Sequence, residues 1–384
     1  MPSKNRDFCL SIAEPPPILP EHSEGTIIQG ERNAKQKNRF LLEHTRTAAY
    51  LARVQRGNDS SSRTQCQATI KIFESIVLPW REFSLPLSSR LFCLYPLQDN
   101  KMKYYIVDAF TDRPFGGNPA GVVLLPQGST FPADSLMVQI AAELRYSETA
   151  FVQQNGPCEF TLRYFTPCGE VDLCGHATIA AFGLMFQQGL VAAGDECLNH
   201  TLAGDLAVKV GDQVMMQMAT PRAIDMPVDT DRLHNIMAGR GEAQWPALPI
   251  EVISTGLPDI ILPVDSLEQL DALEPDMDAL AALSKELNVV GVHAFALADD
   301  GFTAHVRNFA PLYGIPEESA TGTANAALTH YLERQGIIVR PTSCRFLQGE
   351  AMGRPSIITT MLASDGTISV GGTCRTIARG DLLI

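Results

Sequence analysis

The segment from Arg163 to Gln188, RYFTPCGEVDLCGHATIAAFGLMFQQ, reads as a short aromatic strand, a turn at Pro167 and a Cys-Gly-His step into an apolar helical run. A looser copy runs from Arg307 to Gln335, RNFAPLYGIPEESATGTANAALTHYLERQ. Arg163, Phe165 and Pro167 align with Arg307, Phe309 and Pro311. After a three-residue insertion, Gly175, Ala177, Ala180, Gln188 and Gly189 align with Gly322, Ala324, Ala327, Gln335 and Gly336. A strand, turn and helix recurring in one order with spaced identities mark an internal duplication. The chain is therefore expected to build two similar halves, each organised on one apolar helix.

At 384 residues there is material for two domains or more. From Met102 onward strands alternate with helices, which predicts an α/β (α+β) fold. In the first half, strands are expected at Lys103–Phe110, Val122–Leu125, Glu159–Thr166, Leu206–Val210 and Val214–Met218, with a helix over Pro132–Leu144. A connector around Pro221–Pro249 is the expected boundary, giving an N-terminal half at 102–222 and a C-terminal half at 223–384. The second half repeats the alternation, with strands at Glu251–Ser254, Ile260–Val264, His293–Leu297 and Val306–Phe309 and helices at Ala279–Leu287 and Thr323–Gln335. Three last strands are expected near Cys344–Gln348, Ile357–Leu362 and Thr367–Val370. Residues 1–101 read differently, with a Pro triplet at Pro15–Pro17 and a Ser cluster at Ser60–Ser62. They read as a largely disordered extension, with an isolated helix candidate at Phe40–Val54, a strand candidate at Thr69–Val77 and Met102 as the natural beginning. A regulatory segment is the rival reading.

Charge separates the two regions. Residues 1–100 carry 13 Lys+Arg against 10 Asp+Glu, a net of +3, while the remaining 284 carry 17 against 33, a net of −16. An acidic body argues against nucleic acid as a partner, because phosphate affinity rests on Lys and Arg. Nine cysteines without regular spacing do not form a disulfide framework, so a reducing cytoplasm is the expected compartment. No run of 18 apolar residues occurs, so no membrane span is expected. A secretory signal is not recognisable, and Glu14, Glu21, Glu24 and Glu31 argue against a mitochondrial presequence.

The chemistry is expected at the two helix starts. A helix N-terminus presents unpaired N–H groups and about half a positive charge, and Gly175 and Gly322 leave the approach open to a carboxylate or phosphate. Two matched starts facing one cleft could hold an acidic small molecule. Around them, Glu148 lies between Ser147 and Thr149 ahead of apolar Ala150 and Phe151. A carboxylate at the mouth of a buried strand suits proton transfer near neutrality, though a surface or capping role is the alternative. His176 sits in the first turn of its helix, as an active-site or a structural histidine. Glu318 precedes the second start, as a capping acid or the partner of His176. Cys174, at a helix N-terminus, is a candidate thiolate. A two-thiol racemase needs a second cysteine at the equivalent start, and that region reads Glu318-Ser319-Ala320-Thr321-Gly322. Cys168, Cys174 and His176 lack the paired Cys-x-x-Cys spacing and a fourth ligand, so no metal is expected. No phosphate loop or dinucleotide fingerprint occurs, and no cofactor is implied.

The stretches VDAFTDRPFGGNPAGVV, YSETAF, RYFTPCGEVDLCGHAT, STGLPDIILPV, RNFAPLYGIPEESATGTA and QGEAMGRPS, in this order, resemble the PhzF-like proteins of phenazine biosynthesis from Met102 to the C-terminus. The resemblance implies the diaminopimelate-epimerase-like fold: two pseudo-equivalent domains, each a curved mixed sheet around a central helix, with the site between them. It implies a cofactor-independent isomerase acting on a dihydro-hydroxyanthranilate, with a glutamate moving a proton between ring carbons. Glu148 in YSETAF matches that glutamate, and His176 in CGHAT matches the family's histidine. The family's Asp and Ser of an EDPATGS-type motif fall on Glu318 and Thr323. Asn118 in GGNP resembles a substrate-side residue, and Ser147, Gly175, Thr321 and Gly322 are expected beside it. Three positions depart: Glu318 replaces Asp, Ser319 replaces Pro and Thr323 replaces Ser. A carboxylate and a hydroxyl are kept in a reshaped pocket. Cys174 stands where epimerase relatives carry a catalytic cysteine.

The expected function is an isomerase moving a proton on a small carboxylated metabolite, with Glu148, His176 and Glu318 as catalytic residues. A homodimer is the expected assembly. Two readings stand beside it: an epimerase or racemase assisted by Cys174, and a non-catalytic metabolite-binding protein on the same fold.

Overall fold

The computed structural model describes residues 102–238 and 245–384. The expected disordered extension, with its candidate helix and strand, lies outside the described residues. The first half contains β1 (Lys103–Ala109), β2 (Asn118–Leu124), α1 (Asp134–Leu144), β3 (Thr149–Gly156), β4 (Glu159–Thr166), β5 (Gly169–Val171), α2 (Gly175–Gln187), β6 (Glu196–Thr201), β7 (Gly204–Lys209) and β8 (Val214–Gln217). The second contains β9 (Arg222–Ile224), α3 (Thr230–Met237), β10 (Glu251–Ser254), β11 (Pro258–Pro263), α4 (Leu267–Asp271), α5 (Met277–Leu287), β12 (Val292–Leu297), β13 (Ala304–Ala310), β14 (Ile315–Glu318), α6 (Gly322–Arg334), β15 (Thr342–Gln348), β16 (Ser356–Leu362), β17 (Ile368–Gly372) and β18 (Cys374–Asp381). Among the described residues no helix is long and apolar enough to cross a membrane.

The duplication is visible in the strand pairing. β2 runs parallel to β3, β3 antiparallel to β4, and β4 parallel to β6. In the second half β11 runs parallel to β12, β12 antiparallel to β13, and β13 parallel to β15. The matched residues at each site do the same physical work. Arg163 makes a two-pronged contact with Glu170 (2.7 and 2.6 Å) and lies 5.1 Å from the ring centroid of Phe165. Arg307 makes the same contact with Glu317 (2.9 and 2.9 Å) and lies 4.9 Å from that of Phe309. Planar guanidinium serves both partners at once, which lysine could not.

Each sheet curves round one helix. α2 is apolar on every side, and its residues from His176 to Met185 are buried. A helix without a polar face has to lie inside a core, and α2 packs on β1, β2, β3, β8 and β18. α6 is enclosed by β10, β11, β16 and β17 in the same way. The shared Gln-Gly ending also has a cause. Gly189 (φ 72°) and Gly336 (φ 69°) adopt the left-handed conformation. Leu190 N–H then reaches Met185 O and Ile337 N–H reaches Leu332 O, both at 2.9 Å. These are the long hydrogen bonds of a Schellman C-cap.

Several elements were not expected. The Pro-rich connector contains β9, which pairs with β10, and α3, whose N-cap Asp229 accepts from Arg232 N–H. A side-chain cap starts a helix there although its apolar pattern is short. β18 returns across the whole chain to pair with β1, and β17 pairs with β8. The first half's sheet is thus completed by the chain's last strand.

Candidate active site

The two helix starts differ in how their cap residues are used. α2 is preceded by Cys174, whose sulfur is a weak acceptor. α6 is preceded by Thr321, but its hydroxyl turns away from the helix and donates to Glu318 Oε2 (2.6 Å). Neither start carries the side-chain oxygen cap seen at α3 and α5, where Asp229 and Asp276 bond the first turn. Apart from the Ala177 N–H, which reaches the Cys174 sulfur, the first-turn N–H groups of α2 and α6 have no side-chain cap among the described residues, the arrangement an anionic ligand would need. At Gly175 a methyl group would meet only Met216 Cε, at 3.7 Å, so packing alone does not demand glycine there.

Between these starts the structure gathers side chains from both halves. His176 is buried, with Nε2 3.4 Å from Glu148 Oε2 and Nδ1 3.9 Å from Glu318 Oε1. Glu148 enters from the turn before β3, and its carbonyl accepts from Gly121 N–H (3.2 Å). Asn118, at the start of β2, crosses to the other half and donates through Nδ2 to Glu318 Oε1 and to Ala320 O, both at 3.0 Å. Ser147 Oγ stands 3.5 Å from His176 Nε2, at the limit of a hydrogen bond. Gly175 and Gly322 open the two helices. Thr323 sits in the first turn of α6, its carbonyl accepting from Thr255 Oγ1 (3.0 Å). Glu318 is held above the usual carboxylate range, first by burial and also by the charge of Glu148. His176 and the hydrogen bonds from Thr321 and Asn118 oppose this.

Cys174 shares the cluster, with Sγ 3.3 Å from His176 Nδ1. Glu148, Cys174 and His176 offer donor atoms within 4.8 Å of one another, so these three could hold a metal ion. Burial and the negative charge of Glu148 push the Cys174 thiol well above its ordinary range. The helix-start argument for a thiolate is outweighed here by desolvation. At pH 7.5, iodoacetamide should alkylate exposed Cys168 at least about tenfold faster than Cys174, as peptide mass spectrometry would measure. Preferential labelling of Cys174 would restore the thiolate reading. The position of a second thiol is closed as well: Ser319 is buried and donates to Gly117 O (3.0 Å).

Two groups in this framework had no assigned role in the sequence. Gln348 is fully buried and braces the second helix start from four sides. Its Oε1 accepts from Thr321 N–H (3.1 Å) and Asn325 Nδ2 (2.9 Å), while its Nε2 donates to Glu318 O (2.7 Å) and Thr321 Oγ1 (3.0 Å). Arg354 braces the loop that carries Asn118, donating to Gly116 O, Gly117 O and Asp108 Oδ1. Both lie in QGEAMGRPS, so the stretch carried a signal without a role.

The sequence pattern of the family described as phenazine biosynthesis-like protein (PhzC–PhzF) matches residues 107–380. The chain is 34% identical over 275 residues to the uncharacterized isomerase YddE of Escherichia coli O157:H7, covering 67% of this chain and 89% of the relative. It is 29% identical over 299 residues to a trans-2,3-dihydro-3-hydroxyanthranilate isomerase of Pseudomonas chlororaphis, covering 73% and 99%. The solved structure of a PhzF-family phenazine biosynthesis protein of Bacillus anthracis superposes with a TM-score of 0.67 at 26% identity, covering 74% of this chain and 99% of that one. Sequence pattern, isomerase relatives and a shared epimerase-like fold agree, and the chain belongs to the phenazine biosynthesis-like PhzF family, whose named relatives are isomerases.

Proposed function

We propose that this protein is a cofactor-independent isomerase that moves one proton between two carbons of a small carboxylated metabolite. The observation that carries the reading is His176 suspended between carboxylates from the two halves, Glu148 at 3.4 Å and Glu318 at 3.9 Å. In this reading Glu148 removes a proton from a carbon made acidic by the substrate's unsaturation. It then returns that proton to a second carbon of the same conjugated system, so no atom is gained or lost. The negative charge that develops meanwhile falls near the uncapped starts of α2 and α6 and near His176. Glu318, fixed by Asn118 and Thr321, orients His176 from the opposite side. A neutral thiol at Cys174 and an occupied Ser319 hydroxyl count against a two-thiol epimerase.

The test is incubation in deuterium oxide with a panel of small carboxylic acids, including a dihydro-hydroxyanthranilate, read by NMR and mass spectrometry. An isomerised product whose new C–H position carries deuterium, or a retained proton delivered within the molecule, is the expected result. A tightly bound panel member with neither isomerisation nor exchange would instead make the protein a metabolite-binding one.

A further inference from the structure

The second helix start is held by a side chain that the first lacks. Gln348, the last residue of β15, is fully buried, and its amide can sit only one way round. The Thr321 N–H can only donate, so it faces Oε1 (3.1 Å), and the Glu318 carbonyl can only accept, so it faces Nε2 (2.7 Å). The second Nε2 hydrogen then goes to Thr321 Oγ1 (3.0 Å). Among the described residues that hydroxyl has one other partner, Glu318 Oε2 at 2.6 Å, and its own hydrogen is directed there. Asn118 is fixed by the same logic. Its Nδ2 donates to the Ala320 carbonyl, so a nitrogen and not an oxygen meets Glu318 Oε1, both at 3.0 Å. In the first half the strand registers equate Leu347 with His200, and so Gln348 with Thr201. Thr201 is half-buried and donates its hydroxyl to Gly204 O (2.8 Å) within its own turn. α2 starts without such a brace, so helix formation alone does not demand a glutamine beside α6.

We propose that Gln348 is a positioning residue for the proton transfer: it turns the Thr321 hydroxyl onto Glu318, so that each carboxylate oxygen meets a donor and Glu318 faces His176 as a proton acceptor. This role rests on the proton-transfer reading, whereas the order of the hydrogen bonds does not. Bonds donated to a carboxylate favour its charged form, and Glu318 has one on each oxygen. The titratable group facing it most closely is His176 on α2, at 3.9 Å. Glu148, Cys174 and Asp259 are the others whose charge bears on it. β2, β13, β15 and α6 bring Asn118, Asn308, Gln348 and the Thr321 cap, none of which ionises. Burial raises Glu318, and His176 followed by the Thr321 hydrogen bond oppose this. Of these influences the Thr321 bond is the one whose direction Gln348 sets.

The test reads the charge on Glu318 without substrate, so it can fail while the isomerase reading stands, and the reverse. In full-length protein with 13C-labelled Glu side chains, the Glu318 carboxyl resonance is the one missing from Glu318→Gln. Gln348→Met keeps the length of the side chain and loses both hydrogen-bonding ends. It should raise the Glu318 midpoint by about one pH unit. Thr321→Val should raise it as far, while Thr321→Ser should leave it in place. The double variant Gln348→Met with Thr321→Val should raise it no further than either change alone, because both act through one hydrogen. Should Gln348→Met not fold, the wild type still decides. Both Gln348 amide hydrogens should exchange slowly with solvent, and through-space NMR contacts should place the Thr321 hydroxyl hydrogen against Glu318. A midpoint that Gln348→Met leaves unmoved, shifts that add in the double variant, or a hydroxyl hydrogen directed elsewhere would reduce Gln348 to packing and overturn the proposal.

Discussion

Glu148→Gln should lower turnover by about a hundred- to ten-thousand-fold, the usual worth of a general acid/base, while ligand affinity stays within about tenfold. The carboxylate lies 3.4 Å from His176 Nε2 and its side chain is 17% exposed, so it is near solvent and still touches the buried ring. Glutamine keeps the shape and can still hydrogen-bond His176, but it cannot accept a proton from carbon. Loss of turnover with retained binding would therefore isolate proton transfer from positioning. Glu148→Asp withdraws the carboxylate by one methylene and should restore part of the rate, since proton transfer is steep in distance. The matching measurement is wash-in of solvent deuterium with the substrate found in the panel, which should vanish in the glutamine variant. Near-normal exchange in Glu148→Gln would remove Glu148 from the mechanism and shift attention to Glu318. Any accompanying stability change should be small, because the side chain is partly solvated.

The sequence carried the duplication because the repeated residues are constrained locally. Arg163 and Arg307 each need a carboxylate and an aromatic ring within reach, and Gly189 and Gly336 each need a left-handed backbone. These demands act within a few residues, so they leave identities that a reader can align. The expectation of a central helix in each half follows from the same logic, since α2 has no polar face to show to water. What could not be read depends on pairings between distant segments. β18, CRTIARGD, has no apolar run, and it is a strand because β1 supplies its partner. Asn118 meets Glu318 across 200 residues, and no local pattern encodes that distance. Glu148, His176 and Glu318 could be named individually through the family resemblance, whereas their convergence is a property of the fold. Gln348 was missed for a statistical reason: glutamine is usually exposed, and only its four bonds explain its burial. Cys174 was misleading in the opposite sense, because a helix start lowers a thiol's acidity range only where water is near enough to leave desolvation weak.

Arg354→Ala should destabilise the fold by about 3 kcal/mol and also reduce turnover, although Arg354 touches none of the proposed catalytic groups. Its guanidinium donates to Gly117 O (2.9 Å), Gly116 O (2.7 Å) and Asp108 Oδ1 (2.8 Å), and so fixes the loop that leads into Asn118. Gly117 itself is left-handed (φ 64°) and donates to Pro355 O (3.1 Å), so both sides of this loop are tied to the segment bearing Arg354. The Asp108 side chain is 3% exposed and Arg354 29%, which makes this a mostly buried pair. Removing the arginine leaves the carboxylate with the Phe115 N–H (3.0 Å) as its one hydrogen-bond donor among the described residues. The figure is set at the low end for a broken buried pair because the arginine is partly solvated. The pH dependence supplies the sharper check. Burial already raises Asp108 above its unfolded value, with Arg354 as the leading opposing influence, so removing Arg354 should raise it further. The folded variant then binds more protons than its unfolded chain between about pH 4 and neutrality, and its stability falls as pH rises through that window. Urea unfolding should therefore show a small deficit near pH 4 that grows toward pH 7. Asp108→Asn in the Arg354→Ala background should recover part of the loss at pH 7, since no buried charge remains to be compensated. A deficit independent of pH, unrelieved by Asp108→Asn, would mean that the backbone contacts to Gly116 and Gly117 carry the effect and the ion pair does not. Arg354→Lys separates the two further: it keeps a charge for Asp108 but loses the fork that reaches both carbonyls. Its stability should lie between the two, while its turnover should follow Arg354→Ala if the rate depends on where the loop holds Asn118.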